Sequence, residues 1–290
     1  PEIATPDRMD QVSARGFSMG YIGSVILLVV CLVVITQFEF FGFPDTSQAT
    51  RFCFLLVGVW WMGFAQIAFF HLKDQPTGHK ITKEILSRGA KKIKEVFAII
   101  KTQFTIYRFL GSFFFYSMGV QTVMLLAPLF GESIVGMTSD EMILVVLILQ
   151  LLAIGGAYSF AWVSARRGNG FAIGASLILW VGLCIGAYFL NDKVSFYSLA
   201  AVLGFIMGGI QSISRSTYSK LIPKESTETA SFFSFYDMTE KIAIVMGTFS
   251  YGFIEQITGT MRNSMVFMAL FFIIGFIILQ TAKLNRSATS

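Results

Sequence analysis

The sequence predicts an all-α, polytopic membrane protein, and three observations carry that expectation. The chain is 54% hydrophobic and only 13% charged, with 31 phenylalanines. A soluble domain of this length has no core large enough to use such a balance, whereas lipid accepts it as solvent. The apolar residues also fall in continuous runs long enough to cross a bilayer, and the basic residues concentrate in alternate loops.

Each crossing of a hydrocarbon core about 30 Å thick needs roughly 20 apolar residues at about 1.5 Å of helix rise per residue. Eight stretches meet that length, at approximately 17–38, 52–72, 106–130, 141–163, 170–190, 197–219, 230–254 and 263–282. Polar residues such as Asp45, Asp74, Asp140, Arg166, Asp192, Lys224 and Arg262 punctuate or flank them. Because the runs are continuous rather than alternating, they predict helices that satisfy their own backbone hydrogen bonds, not barrel strands. Cys31, Cys53 and Cys184 all fall inside these runs without a short mutual spacing. They are expected as apolar filler, with neither a disulfide framework nor a metal site.

Loop charge sets the expected orientation. With the N-terminus in the cytoplasm, sixteen Lys and Arg fall inside, among them Arg8, Arg15, those of segment 73–105, Arg166, Arg167, Lys220, Lys224, Lys283 and Arg286. Only Arg51, Lys193 and Arg262 fall outside. This bias predicts both chain ends in the cytoplasm and explains the formal charge of +5 without a nucleic-acid partner. The expected location is a bacterial inner membrane. In a cysteine-free background, single cysteines at Asp45, Glu132 and Asp192 should react with an impermeant thiol reagent applied to intact cells, and those at Lys92 and Lys224 should not. The reverse pattern would overturn the orientation.

The order of segments suggests a division. Residues 1–72 hold two spans, 73–105 form a basic connector, and 106–290 hold six spans joined by short loops. Within the connector, Ile81, Ile85, Ile93, Val96, Phe97 and Ile100 recur near helical spacing while Lys83, Lys91, Lys92 and Lys94 occupy other faces. That pattern predicts an amphipathic helix lying along the cytoplasmic surface. A six-span unit behind a long cytoplasmic connector is how the second half of a major facilitator begins. The expected fold is therefore the last two helices of an N-terminal half plus a six-helix C-terminal half. No initiator Met or cleavable signal stands at the front, so four further helices are expected upstream.

Polarity inside the runs points to a candidate site. In this architecture the third helix of each triplet faces lipid, and the stretches at 52–72, 170–190 and 263–282 carry no charged residue before the terminal His71. By contrast 230–254 carries Tyr236, Asp237, Glu240 and Lys241, and 197–219 carries Gln211 and Arg215. Lys241 lies about 16 Å along its helix, near the midplane, where an unpaired charge is costly and must meet a partner or a wet cavity. Asp237, one turn earlier, is its expected partner. Gly204, Gly208, Gln211 and Arg215 share a stripe at i, i+4, i+7 and i+11, which directs Arg215 towards Asp237 or Glu240. Gln121 and Gln150 would add neutral hydrogen bonds. The pairs Gly204/Gly208 and Gly182/Gly186 each place glycines one turn apart, a spacing that lets helix backbones approach.

These residues also carry a resemblance. The segment Ser13-Ala-Arg-Gly-Phe-Ser-Met-Gly-Tyr-Ile-Gly23, the pair Trp60-Trp61, and Gly119-Val-Gln-Thr122 occur in order. They are followed by Gly208-Gly-Ile-Gln-Ser-Ile-Ser-Arg-Ser216 with Pro223, and by Phe232-Phe-Ser-Phe-Tyr236 with Lys241. Together they resemble a major facilitator family that includes the autophagy-linked vacuolar amino-acid effluxers of fungi, over residues 13–280. The resemblance implies a twelve-span secondary transporter in which a small solute, such as an amino acid, is exported by alternating access. A proton is the candidate coupling ion, and no cofactor is implied.

Two departures from the family pattern bear on mechanism. Met118 stands where an acidic residue often precedes Gly-Val-Gln-Thr. The superfamily's cytoplasmic Gly-x-x-x-Asp-Arg-x-Gly-Arg motif survives only as Arg166 and Gly168, with Ala161, Ala165 and Asn169 in place of Gly, Asp and Arg, which predicts a weak charge latch. A lipid, amphiphile or drug exporter and a non-transporting scaffold or sensor on the same fold are the alternative readings. An enzyme is not expected, because the phosphate-loop, zinc-protease and nucleophile-elbow motifs are all missing from the sequence.

Overall fold

The structure, a computed structural model, describes residues 4–71, 83–223, 229–282 and 284, without the side chains of 83–88 and 90. Ile81 and Lys224 lie outside the described residues. Among those described, the helices run α1 Met9–Thr36, α2 Thr46–His71, α3 Lys83–Thr102, α4 Phe104–Val135, α5 Ser139–Arg167, α6 Asn169–Tyr188, α7 Lys193–Leu221, α8 Thr229–Thr258 and α9 Met261–Thr281. No strand interrupts them among the described residues.

Seven of these helices are long and apolar enough to cross a membrane: α1, α2, α4, α5, α6, α7 and α9. The eighth expected span corresponds to α8, which is 30 residues long and packs against α4 and α9. It falls short on composition, because Asp237, Glu240, Lys241 and Glu255 dilute its apolar runs. Its charges are therefore a matter for its neighbours to accommodate.

Chain ends of the helices follow local chemistry. Thr138 opens α5 with a capping box, its hydroxyl accepting from the Glu141 amide while its own amide donates 2.8 Å to Glu141 Oε2. Asp192 caps α7, and the Ser195 hydroxyl and amide that bond it hold its carboxyl below the usual range. At the close of α4, Gly136 adopts φ 68°, a left-handed geometry that a side chain would resist.

The chain divides into two compact units, one formed by residues 1–21 and 88–290 and the other by 22–87. In the second, the later part of α1 and α2 bury Cys31, Val34, Ala49 and Cys53 against Leu27, Phe38 and Leu56. Trp61 and Phe70 on α2 are 76% and 85% exposed, as residues facing lipid would be.

In the first unit α4 to α9 pack around a continuous core that includes Phe109, Ile173, Trp180, Ile206 and Phe272. The connector helix α3 adds its described apolar face through buried Val96 and Ile100, and Phe97 stacks on Phe235 at 5.6 Å. Lys91, Lys92 and Lys94 are exposed on the opposite face, as the amphipathic pattern requires.

Glycine sets the closest contact in this bundle. A β-carbon at Gly204 or Gly208 would run into the backbone of Leu149 or Ala153 on α5, and one at Gly156 on α5 would run into Phe205 of α7. The two helices therefore touch backbone to backbone. The second glycine pair departs from expectation, since Gly182 has open space where its side chain would be and Gly186 meets only the Leu199 side chain at 3.3 Å. Spacing alone marks a face of the helix, and the neighbour decides whether that face is tight.

Candidate functional site: a polar cavity among α1, α4, α7 and α8

Four helices of the first unit surround a cavity of about 190 Å³. From α7, Gln211, Ser214 and Arg215 point into it, and from α4 Gln121 does. Glu240 and Tyr236 enter from α8. Aromatic rings make up much of the remaining wall: Phe113 and Tyr116 from α4, with Phe17 from the start of α1.

The polar groups are held in pairs. Gln121 donates from Nε2 to Glu240 Oε1 at 2.7 Å, fixing the carboxylate against α4. Tyr21 donates its hydroxyl to Gln211 Oε1 at 2.6 Å, so the Gln211 amide nitrogen turns the other way and meets, among the described residues, the Met124 sulfur at 3.6 Å. Tyr116 and Ser214 share a 2.8 Å hydrogen bond between their hydroxyls. Tyr236 stacks on Phe113 at 4.1 Å and on Tyr218 at 5.0 Å, which immobilises its ring. Arg215 reaches Asp237 Oδ1 at 3.6 Å and lies 5.1 Å from the centre of the Phe233 ring.

Gln121, Gln211, Arg215, Tyr236 and Glu240 thus converge on one cavity, as the sequence pattern suggested they could. Asp237 stands behind it as the ion partner of Arg215 rather than of Lys241. Lys241 is exposed and does not line the cavity, because one residue beyond Glu240 turns the helix by about 100°. Gln150 is also elsewhere; its Oε1 is buried on α5 without a partner among the described residues. The glycine end of the α7 stripe faces α5, and only its polar end, Gln211 and Arg215, opens on the cavity.

Sequence reasoning missed Phe17 and Tyr21, since aromatic residues at the start of an apolar run look like ordinary filler. It also missed Asp10, which is only 4% exposed. Asp10 accepts hydrogen bonds from Ser164, Asn169 and Ser216 at 2.7 to 2.9 Å and pairs with Lys220 at 2.7 Å. Asn169 further donates to Thr217 and accepts from Lys220. One carboxylate thereby ties the start of α1 to the adjoining ends of α5, α6 and α7. The surviving motif residues play other parts. Arg166 lies 3.9 Å over the Trp162 ring, and Gly168, at φ 85°, links α5 to α6.

Comparison with known proteins agrees with this architecture. The family model described as "Vacuole effluxer Atg22 like" matches residues 2–290. A Bacillus subtilis protein named uncharacterized MFS-type transporter YxiO is 29% identical over 281 residues, covering 96% of this chain and 64% of the relative. Autophagy-related protein 22-1 of Aspergillus niger is 29% identical over 284 residues, covering 90% of this chain and 45% of that protein. The chain therefore spans less than two thirds of the length of these curated relatives. Among solved structures, the major facilitator FucP in its outward conformation superimposes with a TM-score of 0.63 at 14% identity, covering 98% of this chain and 69% of that one. The shared fold is that of the major facilitators, and the chain belongs to the Atg22-like vacuole effluxer family.

Proposed function

We propose that this chain forms part of a secondary active transporter that moves a small solute, an amino acid, out of the cytoplasm by alternating access. The observation that carries the reading is the cavity itself. A carboxylate, two amides and a guanidinium meet aromatic walls in a space suited to one small solute rather than a drug-sized ligand. Names given to relatives, MFS-type transporter and vacuole effluxer, support the transport class.

Residues 1–72 are proposed as the end of an N-terminal half, 73–105 as the cytoplasmic connector and 106–290 as the C-terminal half, in a bacterial inner membrane with both ends cytoplasmic. A proton is the proposed coupling ion. Arg215, Asp237 and Glu240 would exchange partners as the cavity changes its access, with Gln121 and Gln211 holding their orientation and Tyr236 the wall. Lys241 keeps a place in the proposal because its charge lies deep along α8 yet on an exposed face, where the membrane interior would otherwise penalise it.

The test is uptake of radiolabelled amino acids into proteoliposomes by the full-length protein, with and without a pH gradient. Saturable flux is expected, and its absence for every amino acid tried would overturn the substrate reading. Lys241→Met should abolish flux while leaving the melting temperature close to wild type, as an exposed substitution away from packed contacts does. Wild-type flux in that variant would remove Lys241 from the mechanism.

A further inference from the structure

We infer that the cavity recognises its solute through a primary ammonium group held by Glu240 beside the Phe17 ring, so that simple amines without a carboxylate are also ligands. The inference rests on the reading of this cavity as the solute site. It concerns which end of the solute is gripped, and by what.

Among the described residues, Glu240 is the carboxylate that lines the cavity. Its hydrogen bond among the described residues comes from Gln121 to Oε1, and no hydrogen bond from them engages Oε2. Among the described residues no cation forms a salt bridge with it. Arg215 shares the cavity but is drawn to Asp237 at 3.6 Å and to the Phe233 ring, and Lys241 is exposed outside the lining. An anion in such surroundings is incomplete without a positive partner.

The walls suit the same partner. Phe17, Phe113, Tyr116 and Tyr236 line the cavity together with Glu240. Tyr116 has its hydroxyl engaged with Ser214, so its ring rather than its oxygen is what it offers. Phe113 and Tyr236 are stacked on each other, and Tyr236 also on Tyr218, so Phe17 is the lining ring outside that column. An aromatic face beside a carboxylate attracts an organic ammonium group through its negative quadrupole. Arg215 lies in the same cavity with one long contact, 3.6 Å to Asp237 Oδ1, so the probe carrying only a carboxylate tests whether the guanidinium rather than Glu240 grips the solute.

The experiment uses purified full-length protein and three small probes in a thermal-shift titration: tyramine, which carries the amine alone; tyrosine, which carries both charges; and 3-(4-hydroxyphenyl)propionate, which carries the carboxylate alone. Tyramine and tyrosine should stabilise the protein and the acid should not. Glu240→Gln should weaken tyramine by about 10- to 100-fold, the loss expected for a charge-assisted hydrogen bond. Phe17→Leu keeps the apolar volume but removes one ring face, and should weaken tyramine by about 3- to 10-fold. It serves as the second variant should Glu240→Gln fold poorly.

Stabilisation by the acid but not by tyramine, or tyramine binding untouched by both substitutions, would overturn the inference. Flux separates this from the transport reading. Amino-acid transport without any amine binding overturns the ammonium site and leaves the transporter standing. Tyramine binding that depends on Glu240 and Phe17, with no flux of tyramine or of any amino acid in the proteoliposome assay, supports the site and overturns the transport role.

Discussion

Replacing Gly208 by Ala should destabilise the full-length protein by about 1–3 kcal/mol, although alanine is the better helix former. The added β-carbon would strike the backbone of Ala153, which cannot rotate away as a side chain would. Helices α5 and α7 would have to separate, and that contact runs through Gly156 and Gly204 as well. Gly182→Ala supplies the opposite case. It has no neighbour within 4 Å, so the gain in helix propensity, about 0.5–1 kcal/mol, is free to appear as stabilisation. Melting of the two variants in the same detergent should therefore move in opposite directions. Equal shifts would mean that the α5–α7 contact relaxes far more than backbone geometry suggests.

Lys220→Met should cost still more, about 3–5 kcal/mol, because it leaves the buried Asp10 carboxylate without its cation. Ser164, Ser216 and Asn169 would still donate to Asp10, but neutral donors only partly offset a buried charge. The converse change, Asp10→Asn, should be milder. Lys220 is about a quarter exposed and keeps the Asn169 oxygen at 3.0 Å, while an asparagine retains the shape and can still accept from Ser216. A double variant, Asp10→Asn with Lys220→Met, should recover part of the single lysine loss, since no uncompensated charge then remains. If Lys220→Met melts with the wild type, the pair contributes nothing and the cluster is held by its hydroxyls and amide alone.

The amino-acid sequence by itself determined the class of this protein. Apolar runs of the right length and short loops specify the helices, although α1 and α2 begin at Met9 and Thr46, ahead of the apolar runs at 17 and 52, and lipid removes most alternatives for the backbone. Part of the site was legible for the same reason. Gln211 and Arg215 lie on one helical stripe, and Glu240 had to find a neighbour because a charge inside an apolar run is costly.

Only the tertiary structure could say which neighbour. It gave Asp237 to Arg215 instead of Lys241, set Gln121 on Glu240, and put Gln150 on α5 outside the cavity. It also made Gly208 a contact and Gly182 a vacancy, although both stand in the same four-residue spacing. Asp10 is the extreme case: a carboxylate in a polar leading segment, with partners 154 to 210 residues distant. Helix periodicity reports which residues share a face of one helix. What that face meets depends on how helices far apart in the chain pack together, and no local pattern carries that information.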